Sequence, residues 1–336
     1  MVAAVCMSAV AAFAASSTSS SGGSSGQKNT DGTCSKSEAG LTYPRQEGTL
    51  LLHNFVSTSS TQDEARNLVE TSEIPEDVTT IVVTADEQTN GRGTSGRKWI
   101  GAKGNTFVTI CIRQSAWIDT NLSMTLLPIR IGVIMAERID ALLQTFHQKS
   151  RQPQSPTGRT TVSTIHQSPM TTIKWPNDVL VDEKKISGVL IESSSNSWFL
   201  IGIGVNVAHA PTVPPPGRPS TSIGFYYPEI LMDDGDSTTS IEERQVLLAR
   251  ELGEGMASDL SLWLSDQKGA NPNQSVAERT RILQSWKQWV NWDMQLVWRD
   301  TEDHETVTPV DIESDGQLRV RGSQGRERLV VTDYFV

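Results

Sequence analysis

Three segments of the sequence concentrate residues whose types and spacing could do chemistry on an anionic ligand. The first, residues 88–99, has the sequence QTNGRGTSGRKW and carries three glycines and three cations. Glycines leave backbone N–H groups accessible, and clustered cations attract phosphate or carboxylate groups. The segment therefore predicts a loop that binds an anion, and a solvated glycine-rich loop is the alternative interpretation.

The glycines of this loop also match the GxGxxG spacing of dinucleotide-binding folds, at Gly91, Gly93 and Gly96. That fingerprint requires a helix to begin at the third glycine, so that the pyrophosphate lies at the helix N-terminus. Here the chain continues through Gly101 and Gly104 to another predicted strand, and no GK[ST] follows as a Walker A loop requires. The context therefore argues against a dinucleotide-dependent oxidoreductase.

The second segment, residues 173–192, places amide and acidic side chains near a lysine. Pro176 cannot donate to a strand ladder, so we predict that a strand ends there and presents Asn177 and Asp178 at its exposed end. Lys185 is expected to return beside them across a hairpin-like turn. Such a group could bind ATP phosphates and magnesium or steer an amine nucleophile. The alternative is a polar turn with solvated lysines.

The third segment, residues 201–207, has the sequence IGIGVNV. Its apolar residues predict a strand, and its glycines would permit close approach of a ligand. A tightly packed core strand is the alternative interpretation, and this segment alone does not decide between them.

The hydrophobic pattern predicts the elements that position these segments. Runs of β-branched and apolar residues predict strands at 49–52, 81–83, 107–112, 173–175, 179–181, 189–192 and within 198–207. Apolar residues at helical spacing from Leu126 to Phe146 predict one long amphipathic helix. Asp315-Gly316 between two apolar runs predicts a two-residue hairpin, in a stretch of short strands that suggests a small barrel.

Three residue pairs have the spacing of a capping box and so predict helix starts. They are Thr61 with Glu64, Ser240 with Glu243, and Ser275 with Glu278.

Together the three segments resemble the biotin–protein ligase family. The most specific similarities are GRGTSGRKW at 91–99, KWPNDVLVDEKKISGVLIE at 174–192 and IGIGVNV at 201–207, which occur in the family's order and at its separations. SSTQDEA at 59–65 is similar to the family's first biotin-loop element, and the tail from Leu296 is similar to its small C-terminal domain. The resemblance implies an α+β fold, with a mixed-sheet catalytic domain of the biotin/lipoate ligase type and a small C-terminal SH3-like β-barrel.

The resemblance also implies a role for each site residue. Those implied to bind biotin are Ser60, Thr61, Gln62, Gln88, Arg92, Gly93, Thr94, Lys185 and Gly188. Those implied to hold ATP are Arg97, Trp99, Asn177, Asp178 and Asn206. The implied catalytic residues are Lys185, Arg92 and Asp178. Lys185 and Arg92, with Mg²⁺, would offset charge as biotin attacks the α-phosphate, and Asp178 would orient the acceptor lysine or accept its proton.

The implied activity is ATP-dependent formation of biotinyl-5′-AMP, followed by transfer of biotin to a lysine in the biotin-acceptor domain of a carboxylase. Biotin and ATP are the implied substrates. A lipoate–protein ligase of related fold is the alternative, although KWPND and KISG resemble biotin enzymes more closely. Thr94 and Ser95 stand where many bacterial members carry arginines, so fewer cations would guard the adenylate.

Composition bounds the other functional classes. The formal net charge is -10, from 29 basic and 39 acidic residues. A nucleic-acid partner normally requires a basic face, so we expect none, and no DNA-binding segment of a repressor is evident. The three cysteines lack CxxC spacing and the five histidines lack HxH or HExxH spacing, so neither a disulfide framework nor a structural metal site is expected. We also expect no membrane partner.

The chain is expected to have three parts. Residues 1–47 form a disordered or targeting leader. Residues 48–292 form the biotin- and ATP-binding catalytic domain, with a disordered Ser-, Thr-, Gln- and Pro-rich insertion at 149–169. Residues 293–336 form the SH3-like domain. A cytoplasmic location is expected, with a plastid or mitochondrion as the alternative if the leader is a transit peptide.

Overall fold

The structure, a computed structural model, describes residues 41–47, 50–151, 168–214, 217–231, 239–297 and 305–330. Residues 1–40 of the predicted leader and residues 152–167 of the predicted insertion lie outside the described residues.

A mixed sheet of eight strands forms the centre of the fold, in the order β1-β2-β3-β6-β10-β9-β8-β7. Its strands are β1 (Leu41–Glu47), β2 (Leu50–Phe55), β3 (Thr80–Ala85), β6 (Thr106–Arg113), β7 (Thr171–Lys174), β8 (Asp178–Val181), β9 (Lys184–Ser193) and β10 (Trp198–Val205). Strands β2 and β3 pair in parallel, and every other neighbouring pair is antiparallel. The predicted mixed-sheet α+β fold is therefore confirmed. Two short strands, β4 (Gly91–Arg92) and β5 (Lys98–Trp99), form a separate ribbon.

Helices cover both faces of this sheet. They are α1 (Thr61–Thr71), α2 (Gln114–Ile118), α3 (Leu126–Arg151), α4 (Ile223–Tyr226), α5 (Ile241–Asp266) and α6 (Pro272–Gln288), with 3₁₀ turns at Thr94–Gly96 and Pro228–Leu231. Successive side chains of a strand point to opposite faces. Val82 of β3 accordingly packs in the large core under α3, α5 and α6, whereas Ile81 and Val83 pack with Ala65 of α1.

The long helix α3 confirms the helix predicted from Leu126 to Phe146, and it continues to Arg151. The start predicted for the insertion, residue 149, therefore lies too early in the chain, because residues 149–151 still belong to this helix. None of the helices in the described part of the chain combines the length and the apolar character that crossing a membrane would need.

One of the three predicted helix starts is confirmed. Ser240 caps α5, and its side chain and that of Glu243 form the reciprocal capping box. The prediction at Ser275 is wrong, because α6 begins at Pro272 after a capping box made by Asn271 and Gln274. Proline suits the first helical turn, where its missing N–H is not needed. The N-cap therefore lies four residues earlier than predicted.

The predicted cap at Thr61 is also wrong. Thr61 is the first residue of α1, and Ser60 occupies the N-cap position without a side-chain capping bond. The amide and hydroxyl of Thr61 instead donate to Oε1 of Gln88, at 2.9 and 3.2 Å. In the predicted capping box, the N–H of Thr61 would donate to the side chain of Glu64. It donates instead to Gln88, 27 residues away.

The boundary predicted between the leader and the catalytic domain, at residue 48, falls between two strands that pair with each other. Residues 41–47, assigned to the leader, form β1, which pairs antiparallel with β2 at the edge of the main sheet. The register shifts between Thr42 and Arg45, around Pro44. Proline is tolerated at a sheet edge or a bulge, and this position provides both.

The C-terminal part forms a second sheet of four antiparallel strands, in sequence order. They are β11 (Leu296–Val297), β12 (Thr306–Ile312), β13 (Leu318–Gly322) and β14 (Glu327–Val330). Within the described residues β11 and β14 are opposite edges of this sheet, so closure into an SH3-like barrel stays a prediction.

The hairpin predicted at Asp315-Gly316 joins β12 and β13, with Gly316 at φ +86°. Its turn is longer than predicted, because Glu313 N donates to Gln317 O at 2.8 Å and leaves three residues between them. Three-residue hairpin loops commonly place a glycine in the left-handed region at this point.

Candidate active site

One cavity receives residues from all three motif segments. The empty space between its walls and in the solvent at its mouth is about 500 Å³. Its lining consists of Ser60, Thr61, Gln62, Gln88, Arg92, Gly93, Thr94, Trp99, Phe107, Thr109, Asn177, Asp178, Lys185, Gly188, Val189, Leu190, Gly202, Ile203 and Gly204. Hydroxyl and amide groups lie beside two cations and apolar side chains, an arrangement suited to an amphipathic anion.

The hairpin of β8 and β9 places Lys185 against Asp178. Its turn residues Asp182 and Glu183 both have positive φ, 47° and 64°, which matches the twist of a tight hairpin. Lys185 Nζ lies 2.6 Å from Asp178 Oδ1, as the predicted return of the lysine requires. The Lys185 backbone is fixed on its other side, because its N–H donates to Pro219 O and its carbonyl accepts from Thr221 N.

Asp178 is a buried carboxylate held in its charged form. Burial alone raises the pKa of Asp178, but the charges of Lys185 and Lys174 outweigh burial and hold this pKa below its ordinary value. Lys174 Nζ lies 4.0 Å from Asp178 Oδ2 and is itself almost fully buried. The carboxylate is therefore ionised at neutral pH.

Two asparagines present buried oxygens without hydrogen-bond partners among the described residues. Asn177 donates from Nδ2 to Val189 O at 3.0 Å, and Asn206 donates from Nδ2 to Thr221 O at 3.1 Å. Oδ1 of both side chains is buried and unpaired. Buried polar atoms are nearly always satisfied in proteins, so each oxygen is a candidate acceptor for a ligand group.

The start of α1 supplies the polar wall of the cavity. Thr109 Oγ1, on β6, lies 3.0 Å from Thr61 Oγ1 and 3.2 Å from Gln62 Oε1. Gln62 Nε2 donates to Leu200 O at 3.1 Å, which orients its amide. The Ser60 hydroxyl is buried without a hydrogen-bond partner in the described part of the chain and is available to a ligand.

The loop of residues 91–99, which includes the short strands β4 and β5, carries the cations. Gly93 N donates to Arg97 O at 2.7 Å, which closes the loop on itself. Arg92 Nη2 lies 3.0 Å from Glu192 Oε2 and 2.8 Å from Asp63 Oδ1. Arg97 instead folds back on the loop, where its Nε donates to Thr94 O at 3.0 Å. The loop thus directs one arginine to the cavity and one along its own backbone.

The glycines of β10 receive side chains of the protein itself. A Cβ on Gly204 would lie 2.3 Å from Trp99 Cε2, and a Cβ on Gly202 would lie 2.4 Å from Gln62 Oε1. Trp99 also lies under Lys185, with Nζ 5.7 Å from a ring centroid. These glycines permit close approach, as predicted, and in this structure the approaching groups are two site side chains.

The structure brings together all nine residues predicted to bind biotin. Of the five predicted to hold ATP, Trp99, Asn177 and Asp178 line the same cavity. Arg97 and Asn206 do not line it. Arg97 is exposed on the loop, and Asn206 is buried just beyond the end of β10. The ligand assigned to each residue stays a prediction.

Sequence reasoning missed part of the lining. Phe107 and Thr109 lie two apart on β6, and Val189 and Leu190 lie on β9. Alternation along β6 places its residues 107 and 109 on one face, so the period of the strand could have predicted that pair once the facing motifs were known. No group of three or more His, Cys, Asp or Glu side chains is arranged to hold a metal in the described ranges.

The segment that carries the cavity lining is similar to known proteins. Residues 55–207 match the family model described as Biotin/lipoate A/B protein ligase family. The bifunctional ligase/repressor BirA of Bacillus subtilis (strain 168) is 30% identical over 187 residues, which cover 54% of this chain and 47% of that protein. The biotin--[acetyl-CoA-carboxylase] ligase of Paracoccus denitrificans is 30% identical over 149 residues, which cover 42% and 51%. The chain thus spans about half the length of the curated relatives it matches.

A solved structure shows the same fold. The biotin protein ligase from Aquifex aeolicus in complex with biotin and ATP superposes with a TM-score of 0.53 at 21% identity, and the match covers 85% of this chain and 97% of that one.

Proposed function

We propose that the chain is a biotin–protein ligase, because residues 55–207 match the model of the biotin/lipoate A/B protein ligase family. It would form biotinyl-5′-AMP from biotin and ATP and transfer the biotinyl group to a lysine in the biotin-acceptor domain of a carboxylase. The matched relatives that are named as ligases support this activity.

The observation that carries the proposal is the convergence of Lys185 and Arg92 on one cavity with polar and apolar walls. Two cations suit the biotin carboxylate and the α-phosphate that it attacks. The hydroxyl and amide groups at the start of α1 suit the polar ureido group of biotin. Phe107, Val189 and Leu190 provide apolar surface for its aliphatic chain.

The first step overcomes the inertness of a carboxylate toward amines at neutral pH. A carboxylate oxygen of biotin forms a bond to the α-phosphorus of ATP, and the bond from that phosphorus to pyrophosphate breaks. Negative charge builds up where Lys185 and Arg92 lie, and fixed cations stabilise it without reorganisation. The product is a mixed anhydride whose AMP leaves readily.

In the second step the acceptor lysine, which arrives as an ammonium ion, loses a proton to water and attacks the carbonyl of biotinyl-AMP as the neutral amine. An amide bond forms, the bond from that carbonyl to the oxygen of AMP breaks, and the second proton of the amine also passes to water. The low pKa of Asp178 makes it a weak base, because an efficient general base has a pKa near the working pH. Asp178 is therefore better suited to attracting and orienting the positively charged acceptor lysine than to removing its proton.

Mg²⁺ belongs to this proposal as an ion that arrives with ATP. Mg²⁺ prefers oxygen ligands and is usually held by substrate phosphates with one or two carboxylates and water. Asp178 and the unpaired Oδ1 of Asn177 are oxygen donors that line the cavity, so the site fits an ion of this kind.

The test measures pyrophosphate release by the full chain with ATP and either biotin or lipoate. We expect release that depends on biotin, and transfer to a carboxylase biotin domain but not to a variant whose target lysine is replaced by arginine. Release that depends on lipoate would make the chain a lipoate ligase. Release with neither acid would overturn the proposed function.

A further inference from the structure

Glu192, near the end of β9, joins two parts of the site that are remote in sequence. Its Oε2 accepts from Gln62 Nε2 at 3.1 Å and from Arg66 Nη2 at 3.0 Å. Both oxygens accept from Arg92, Oε1 from Nη1 at 3.2 Å and Oε2 from Nη2 at 3.0 Å. Glu192 does not line the cavity, but two residues that do line it depend on its carboxylate.

The charges around Glu192 keep it ionised. Burial raises its pKa, but hydrogen bonds from Gln62 and Arg66 and the charge of Arg92 outweigh burial and hold the pKa below its ordinary value. Arg66 also donates to Ser193 O at 3.1 Å, which fixes Arg66 against the end of β9. A two-point bond between arginine and a carboxylate fixes the plane of the guanidinium as well as its position.

These bonds determine which donor of Arg92 is left for a ligand. Its two terminal nitrogens are engaged by Glu192 and, through Nη2, by Asp63. Its Nε is buried and has no hydrogen-bond partner in the described part of the chain. Arg92, which lines the cavity, therefore keeps its Nε–H buried and unpaired among the described residues.

We propose that Glu192 is a positioning residue, which clamps the terminal nitrogens of Arg92 so that Nε–H is the donor offered to the anionic substrate. The clamp also ties the loop of residues 91–99 to β9 and to Gln62 before any substrate binds. This assignment rests on the proposed function for the identity of the anion, but the clamp itself exists without a ligand.

Glu70→Gln provides a matched control for Glu192→Gln. Glu70 also pairs with Arg66, at 3.6 Å, and its side chain is similarly exposed, 31% against 26%. No interaction of Glu70 reaches Arg92 or Gln62 among those of the described residues. Both substitutions therefore remove one carboxylate next to Arg66, and one of them breaks the clamp.

The first measurement needs no ligand. Trypsin cleaves after Arg92, Arg97 and Lys98, so the rate of these cuts, followed by mass spectrometry of the peptides, reports opening of the loop. Glu192→Gln should be cut about fivefold faster than the wild type, and Glu70→Gln at the wild-type rate. Equal rates for the two variants would overturn the clamp.

The second measurement is the biotin dissociation constant from calorimetry. Glu192→Gln should raise it about tenfold, because a charge-assisted contact is lost, and Glu70→Gln should leave it unchanged. In an Arg92→Ala background, Glu192→Gln should add less than about twofold, because its effect passes through Arg92. A full additional loss would show that Glu192 does not act through Arg92.

The two failures can be told apart. A wild type that neither binds biotin nor releases pyrophosphate would refute the proposed function, and the trypsin rates would still decide on the clamp. If Glu192→Gln does not fold, Glu192→Asp supplies the same comparisons, because it keeps the charge but is one methylene too short for the same contacts.

Discussion

At the residue scale, the site depends on charges that are compensated in pairs. Asp178 is buried and ionised because Lys185 and Lys174 lie beside it. Removing one partner of a buried pair leaves an uncompensated charge, which costs more than the pair itself contributes. Substitutions here therefore change both chemistry and stability, and a test must measure both.

Lys185→Ala should reduce the rate of biotinyl-AMP formation by about 10²–10³-fold, because a cation is lost where negative charge develops. It should also lower the free energy of unfolding by about 1–3 kcal/mol, since Asp178 loses its nearest partner. Pyrophosphate release and urea unfolding measure the two effects. Lys185→Arg keeps the charge and should retain most of the stability. Normal adenylate synthesis by Lys185→Ala would remove Lys185 from its proposed role.

Asp178→Asn should change how stability depends on pH. The folded-state pKa of Asp178 lies below its unfolded value, so its contribution is present above about pH 4 and is lost as the pH falls further. The variant should be less stable than the wild type at pH 7, and its stability should fall less steeply below about pH 4. Urea unfolding at a series of pH values tests this. Parallel curves for the two proteins would contradict it.

At the element scale, the site is assembled from a loop, a helix start and four adjacent strands, β6, β10, β9 and β8. Strands β6, β10 and β9 are neighbours in the sheet and provide a rigid floor. The glycines of β10 let Trp99 and Gln62 lie directly against that floor. Packing of the site therefore requires that residues 202 and 204 have no side chain.

Gly204→Ala should disturb the site through Trp99. The new Cβ would lie 2.3 Å from the indole, so the ring must move. Misplacement of a site group by about 1 Å costs up to about 100-fold, so we expect kcat/KM for ATP to fall by about 10- to 100-fold. Gly132→Ala is the control, because the nearest atom to its Cβ is 3.7 Å away and alanine is favoured within a helix by about 0.5–1 kcal/mol. Equal kinetics for both variants would contradict this account of Gly204.

At the scale of the whole molecule, the C-terminal sheet is joined to the motif strands. Trp175 Nε1 donates to Gly316 O at 2.9 Å in a buried contact. Trp175 lies in the turn of residues 175–177, which also holds Asn177 and leads to Asp178 at the start of β8. Apolar residues of the small sheet, among them Leu318 and Val320, belong to the same core as the eight-stranded sheet. The tip of the C-terminal hairpin thus supports the turn that leads to Asn177 and Asp178.

Truncation before Leu296 should therefore impair adenylate formation and acceptor biotinylation more than biotin binding. Because truncation also exposes core residues, Trp175→Phe is the finer test. It removes one buried hydrogen bond and should lower stability by about 1–3 kcal/mol and raise the KM for ATP. Trp117→Phe is the matched control, since its buried indole N–H has no hydrogen-bond partner in the described ranges. An unchanged KM for ATP in Trp175→Phe, together with a fully active truncated chain, would show that the site does not depend on the C-terminal sheet.

The sequence by itself, through its resemblance to the biotin–protein ligase family, predicted most of the polar residues that meet in the cavity, among them Ser60, Arg92 and Lys185. Periodicity predicted the long helix and most strands of the mixed sheet. The positions of the helices and strands follow from local sequence patterns. The set of site residues follows from three motifs taken together, because no single motif would identify it. The capping box at Ser240 was also readable, because it involves only neighbours in the chain.

Only the tertiary structure decided how the donors and acceptors are engaged. Arg92 meets Glu192 across 100 residues and Gln62 meets it across 130, and no local pattern records such contacts. The same reason explains the error at Thr61, because its backbone N–H could donate either to Glu64 in a capping box or to Gln88. Local sequence limits the bonds that a group can make, but the choice among them depends on which distant groups the fold brings within about 3 Å.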